Sequence, residues 1–233
     1  MTIAVVVFPG SNCEHDVAYA LNDLGGRAEL VWHRETDLSA FDSVVLPGGF
    51  AHGDYLRTGA IARFSPVMTE VARMADNGAP VLGICNGFQI LTEAGLLPGV
   101  LLANRDLRFI CRPVHLRVES TDSVLTRTAQ VGRVLEIPLN SYEGNYTIDP
   151  AAAPATTVLT YSDANGRVSA ETNPNGSTQN VAGVAGANGN VVGLMPHPER
   201  ATESILGSTD GRVLLQSFID SVHEQAPRNP ANV

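Results

Sequence analysis

Cysteine is scarce in this chain: Cys13, Cys85 and Cys111 lie far apart among 233 residues, with no C-x-x-C. So sparse and odd a count argues against a disulfide framework and suits a reducing compartment. No metal-ligand spacing stands out either. The one close grouping, Cys13, His15 and Asp16, reads as a turn or helix start with polar residues rather than a ligand set. Long apolar runs are missing, so nothing approaches membrane-spanning length. The opening Ile3–Phe8 is apolar but too short for a signal-peptide core, and no Lys or Arg precedes it. Repeats, low-complexity tracts and a clear linker are also absent. The expectation is a soluble, cytoplasmic protein with a single domain over residues 1–226 and a disordered tail over 227–233. Positive charge is in the minority, 15 Lys plus Arg against 24 Asp plus Glu, for a net charge of −9. An acidic surface repels nucleic-acid phosphates and anionic lipid, so neither is an expected partner, although a local basic pocket still allows an anionic substrate.

What is present begins with alternating strand and helix patterns. Ile3–Phe8 reads as a buried strand and residues 14–24 as a helix ended by Gly25-Gly26. Residues 28–32 and 43–46 are further strands, 60–76 a helix closing at Asn77-Gly78, and Val81–Ile84 a strand opened by Pro80. Continuous apolar strands separated by helices indicate a parallel sheet covered on both faces. The expected class is α/β: a flavodoxin-like, mostly parallel sheet, with β-hairpin additions in the second half. There, residues 109–119 and 133–139 read as strands and 150–157 and 172–180 as loops. Asn165-Gly166 and Asn188-Gly189 read as hairpin turns, the second joining Val181–Gly186 to Val191–Leu194. A final helix, about 210–224, places Leu214, Leu215, Phe218 and Val222 on one face, with Asp210 as its N-cap.

Three motifs fall at strand carboxyl ends, where open α/β sheets hold their ligands. Gly83-Ile84-Cys85-Asn86-Gly87 follows one strand and precedes a helical pattern. Strand, G-x-C-x-G, helix is the cysteine form of a nucleophile elbow. The glycines remove side chains that would collide across a tight turn. The helix start supplies a positive dipole end and a free N–H that favour a reactive anionic sulfur and an oxyanion. By itself the pattern also fits a buried structural cysteine. Leu46-Pro47-Gly48-Gly49-Phe50 brings backbone amides close to a ligand at another strand end, although alone it is ordinary turn chemistry. It lacks the lysine and spacing of a phosphate-binding loop. In Met195-Pro196-His197-Pro198-Glu199-Arg200 two prolines stiffen the chain around a histidine that a nearby carboxylate can orient as a general base.

Together these motifs resemble those of class I, triad-type glutamine amidotransferases. Within that family the chain is most similar to the glutaminase subunits of phosphoribosylformylglycinamidine synthases. The residues behind the finer resemblance are Phe8-Pro9-Gly10-Ser11-Asn12-Cys13, Gly53-Asp54-Tyr55-Leu56-Arg57-Thr58-Gly59-Ala60, Cys85-Asn86-Gly87-Phe88-Gln89, Gly95-Leu96-Leu97-Pro98-Gly99 and Pro196-His197-Pro198-Glu199-Arg200. The likeness spans about residues 3 to 224. It implies a catalytic triad of Cys85, His197 and Glu199, with the amides of Asn86 and Gly49 at the oxyanion and Phe50 and Gln89 near substrate; support of the elbow is an equal reading for Gln89. It also implies glutamine as substrate, and ammonia delivered through an internal passage to a large synthetase subunit, with a small accessory subunit. ATP and Mg would bind the partner, and no cofactor or metal this chain. The resemblance departs at Ser141-Tyr142-Glu143-Gly144, where relatives carry His-Gly-Glu-Gly, and at His52.

Two other readings stay open at this level. The same elbow occurs in cysteine hydrolases of deglycase type, although many place a histidine directly after the cysteine, where Asn86 stands here. A non-catalytic regulatory module could keep the fold without the chemistry. Cys111, in a strand-like stretch, is expected to be buried, and Arg57, Arg105, Arg108 and Arg112 to be solvated.

Overall fold

The structure is a computed structural model that describes residues 1–149 and 155–225. Apolar, β-branched segments form its centre. Strands β1 (Ile3–Val7), β3 (Ser43–Leu46), β4 (Val81–Ile84) and β11 (Val191–Leu194) are buried along nearly their whole length, as strands covered on both faces must be. With β2 (Ala28–Trp32) they make a parallel set in the order β2-β1-β3-β4-β11. The sheet continues antiparallel through β10 (Val181–Ala185), β9 (Thr156–Ser162), β6 (Ile110–Val118) and β7 (Val134–Ser141), giving nine strands in all. Along β7 burial alternates residue by residue, the mark of a strand with one face on the core. A small antiparallel pair, β5 (Val100–Leu102) with β8 (Asn145–Thr147), stands apart.

Among the described residues four α-helices accompany the sheet: α1 (Glu14–Asp23), α2 (Val67–Asp76), α3 (Asn86–Glu93) and α4 (Gly211–Gln225). Two glycines let α3 lie directly on the strands. A Cβ at Gly193 would fall 2.1 Å from the Phe88 ring, and one at Gly87 would fall 1.9 Å from the Leu46 carbonyl oxygen. Side chains at either place would push the helix off β3 and β11.

The α/β class, the parallel core and the Asn188-Gly189 hairpin agree with the reading of the sequence, and five local expectations need correction. The helix expected over 60–76 is split. A 3-10 turn (Ala62–Phe64) precedes α2, because Ser65 is extended before Pro66, as a residue preceding proline prefers. Asn165-Gly166 does form a turn, closed by Asp163 N–H to the Arg167 carbonyl. No hairpin follows, since both edges of β9 are already taken by β10 and β6. The loop expected over 150–157 gives way to β9 at Thr156, and its residues 150–154 lie outside the described residues. Asp210 spends its carboxylate on the Glu136 amide at 2.9 Å instead of capping α4. Cys111 is exposed, because β6 pairs with β9 only from His115 onward and its first residues project past that cover. The expected tail, 227–233, also lies outside the described residues, among which no helix is long and apolar enough to cross a membrane.

The glycine contacts generate a test by stability. Gly87→Ala is expected to cost about 3 kcal/mol or more from overpacking. Gly25→Ala, where φ is +87° but nothing lies within 4 Å, should cost only about 1 kcal/mol of backbone strain. Denaturant midpoints of the two variants measure the difference.

Candidate active site

Cys85 sits where β4 turns into α3, with φ 51° and ψ −106°. A side chain in this region costs on the order of 1–3 kcal/mol, so the surroundings must enforce it. They do so from both sides. The Cys85 amide donates to the Leu194 carbonyl at 2.8 Å, continuing the β4–β11 pairing. Across the turn, a Cβ on Gly83 would meet the Gly87 backbone at 2.7 Å, which is the collision the G-x-C-x-G spacing avoids. The residue is 7% exposed, and its sulfur makes one long contact, 3.5 Å, with the Asn140 carbonyl at the end of β7.

β11 delivers the second group. Beyond its end the His197 amide donates to the Pro138 carbonyl of β7 at 2.8 Å. Pro198 then opens a 3-10 turn that folds Glu199 back onto the ring. Nδ1 of His197 and Oε1 of Glu199 are 2.7 Å apart, with the residues 2% and 3% exposed. Nε2 of the ring and Oε2 of the carboxylate have no hydrogen-bond partner among the described residues, so one ring nitrogen is engaged and the other is free. Burial by itself would lower the pKa of His197. Burial is the largest single influence, and the Glu199 charge, Cys85 and Cys13 outweigh it only together, so the imidazole is held well above its ordinary range. The charged ring is thus favoured.

Loops complete the site. Gly49 has φ +149° and pairs with Ser11, and the Phe50 amide donates to the Gly10 carbonyl at 2.8 Å. The Phe50 amide is thus engaged, while the Gly49 amide makes no hydrogen bond among the described residues. Asn86 ties the next loop to α3. Its Oδ1 accepts from the Ala51 amide at 3.1 Å, and its Nδ2 donates to Gln89 Oε1 at 2.8 Å. Gln89 in turn donates to the Glu143 carbonyl at 2.7 Å. His52, Asp54 and Leu56 all have positive φ in this loop. The His52 ring meets His33 edge-on at 5.4 Å.

Cys85, His197, Gly49, Phe50 and Gln89 all line one cavity of about 440 Å³. Asn86 lies behind its wall. Cys13, Asp54, Ser141, Glu143 and Arg200 line it as well; Cys13, Asp54 and Arg200 were not assigned to the wall from the sequence. Cys13 and Asp54 were quoted only inside family motifs, because the contacts that bring them here come from distant parts of the chain. Ser141 and Glu143 belong to the segment that departs from relatives. Burial, then the nearby Glu143 charge, pushes Asp54 up to about 6, with the Asn86 hydrogen bond pulling the other way. A Cys13 sulfur, a His197 nitrogen and a Glu199 oxygen lie within 4.8 Å of one another. These are donor types that zinc takes. Here the Arg200 guanidinium sits 3.2 Å from the sulfur and Nδ1 is engaged by Glu199, so the cluster is a hydrogen-bonded one.

A strained cysteine at a strand–helix elbow, with a buried histidine–carboxylate pair and a glycine-rich turn on the same cavity wall, is the arrangement of cysteine-dependent enzymes with a nucleophile elbow. Comparison with known proteins narrows this. A family model described as "CobB/CobQ-like glutamine amidotransferase domain" matches residues 1–214. A phosphoribosylformylglycinamidine synthase subunit PurQ from Koribacter versatilis is 49% identical, over 95% of this chain and 99% of its own. The subunit of the same name from Trichormus variabilis is 52% identical, over 95% and 98%. Among solved structures, a chain of PurLQS from Thermotoga maritima superposes with a TM-score of 0.87 at 40% identity, covering 95% of this chain and 98% of that one. A glutamine amidotransferase from Thermotoga maritima shares the fold at 17% identity, with a TM-score of 0.58 over 97% of each chain. The chain belongs to the glutamine amidotransferase family that these PurQ subunits represent.

Asp54 gives a pH test. Its folded pKa lies above the unfolded value, so the folded state binds the extra proton. Stability is therefore lost as pH rises through the window from about 4 to about 6. Asp54→Asn, which stays neutral, is expected to exceed the parent by about 1 kcal/mol at pH 8 after allowance for solvent screening. That advantage should shrink as pH falls through 6. Urea midpoints measured against pH check it.

Proposed function

We propose that this chain hydrolyses glutamine to glutamate and ammonia and hands the ammonia to a synthetase that forms formylglycinamidine ribonucleotide in purine biosynthesis. The observation that carries the reading is the shared cavity wall of Cys85 and His197, with Glu199 on the far nitrogen of the ring at 2.7 Å. Relatives named as PurQ subunits, about half identical over nearly the whole chain, support the particular substrate and pathway.

The roles follow from the geometry. The Cys85 sulfur attacks the side-chain amide carbon of glutamine, and the carbonyl π electrons move onto oxygen. The Gly49 and Asn86 amides stabilise that oxyanion. Protonated His197 gives its proton to the departing nitrogen, ammonia leaves, and a glutamyl thioester remains on Cys85. His197, now neutral, takes a proton from water, which attacks the thioester and releases glutamate. Glu199 fixes the ring tautomer and offsets its charge in a site without bulk water. Asp54 and Glu143 put negative charge where the α-ammonium of glutamine can use it. Phe50 flanks the substrate, and Gln89 holds the Glu143 backbone in the wall.

The partner reading rests on the same relatives. One of them is a chain of a PurLQS structure, and this chain has no phosphate-binding loop motif. ATP, Mg and the ribonucleotide accordingly belong on a large synthetase subunit, with a small accessory subunit in the complex. Ammonia released into water would be protonated and lost, so an internal passage between the two active sites is part of the proposal. The three free thiols suit the cytoplasm.

Glutamate release by the chain, alone and with its synthetase, tests the reading. Cys85→Ala is expected to lower it at least about a thousandfold, and the partner to raise it in the parent protein. Glutamine should protect Cys85 from a glutamine-like electrophile. Undiminished release by Cys85→Ala would overturn the assignment. Sluggish labelling without protection would point to a non-catalytic module.

A further inference from the structure

Beside the His197–Glu199 pair lies a thiol for which this reaction scheme has no use. Cys13 is the N-cap residue of α1, yet its side chain makes no capping hydrogen bond. It points inward, 3% exposed, onto the cavity wall. The Cys13 amide donates to the Gly48 carbonyl at 3.2 Å, in the turn that leads to Gly49. Its sulfur receives an N–H of Arg200 at 3.2 Å, while Nε of the same guanidinium binds Asp16 at 3.1 Å. Arg200 is thereby fixed between α1 and the 3-10 turn that carries Glu199.

The packing around Gly48 shows how tightly the groups meet. A Cβ there would stand 2.7 Å from Cε1 of His197 and 3.1 Å from the Cys13 sulfur. Ring, sulfur and turn backbone thus share one small space, and the sulfur, a ring nitrogen and a Glu199 oxygen lie within 4.8 Å of one another. We propose that Cys13 is a positioning residue that acts through His197: its sulfur, held by Arg200, fixes the imidazole where it serves Cys85 and supports the charged ring. The inference rests on the triad reading above.

Charge around the ring gives the direction of the effect. The groups facing His197 are Glu199 from its own turn, Cys85 from the elbow and Cys13 from α1, with Asp54 and Glu143 elsewhere on the cavity wall. Arg200 faces Cys13 and Asp16, and Arg212 of α4 is tied to Asp23. Burial opposes the charge on the ring, and Glu199, Cys85 and Cys13 favour it, in that order. Removing the Cys13 sulfur takes away one supporting group and leaves the opposing burial. The imidazolium is then less favoured, and with it the imidazolium–thiolate form of the Cys85–His197 pair.

The test reads that pair directly. The full-length protein and its Cys13→Ala and Cys13→Ser variants are treated with iodoacetamide from pH 5 to 10, and modification is followed by mass on the Cys85 peptide. In Cys13→Ala the pH midpoint should rise by about one unit and the rate at Cys85 near pH 6 should fall about tenfold. In glutamine hydrolysis kcat should fall while KM stays within about twofold. Cys13→Ser, which keeps a small acceptor, should shift the midpoint the same way by a smaller amount, and it carries the test if Cys13→Ala does not fold. A folded variant whose profile coincides with the parent's would overturn the inference even if its thermal stability were lower, since packing alone would then explain the sulfur. Failure of the triad reading shows separately, as glutamate release by Cys85→Ala, because alkylation of Cys85 requires no turnover.

Discussion

Much of the molecule depends on a left-handed backbone at one residue that is not glycine. At Cys85 the chain must stop being β4 and become α3 within a single step, and the positive φ is what turns the sulfur out of the sheet. The cost is met by neighbours. β11 holds the Cys85 amide, Gly83 and Gly87 leave room across the turn, and the missing side chain at Gly193 lets Phe88 settle against the strand. Because α3 then lies on β3 and β4, its first turn brings Asn86 and Gln89 to the loops that wall the cavity. Fold and site are therefore joined at this point.

A second constraint is electrostatic. A histidine and a glutamate, each almost without solvent contact, form a pair whose separate charges would be costly in a dry interior. The pair persists because each partner neutralises the other through one short hydrogen bond. The unused atoms, Nε2 of the ring and Oε2 of the carboxylate, have no protein partner. An unused donor beside a nucleophile is expensive in a purely structural site and useful where a proton has to move.

What could be read in the amino-acid order was local and periodic. Ile3–Val7 and Val81–Ile84 announce buried strands by composition, and Gly83 and Gly87 announce the elbow because their spacing answers a steric demand within five residues. His197 and Glu199 are two residues apart, so their partnership was visible as well. The failures have a common cause in contacts made across the chain. Asn165-Gly166 has good hairpin chemistry, but nothing nearby in sequence tells that β9 is already flanked on both sides. Cys111 looks like a core residue until the short overlap of β6 with β9 is known. Asp210 has the chemistry of a helix cap, and an amide 74 residues away claims it. Cys13 meets Arg200 across 187 residues, and no motif spacing encodes such a meeting. The Ser141 and His52 departures remain without a physical account from the sequence; the structure places Ser141 on the cavity wall and the His52 ring against His33.

The antiparallel extension has a mechanical consequence. β4 and β11, which carry the elbow and the histidine, belong to the same hydrogen-bonded sheet as β7, which brings the Pro138 carbonyl to the His197 amide and the Asn140 carbonyl to the Cys85 sulfur. The three are braced together, so the cavity does not open as a cleft between two rigid lobes does. The segment from Ala51 to Leu56 lies outside that sheet; His52, Asp54 and Leu56 have positive φ there, and Asn86 holds its start through the Ala51 amide. The sulfur therefore faces a wall built on sheet hydrogen bonds and continued by one built on a loop.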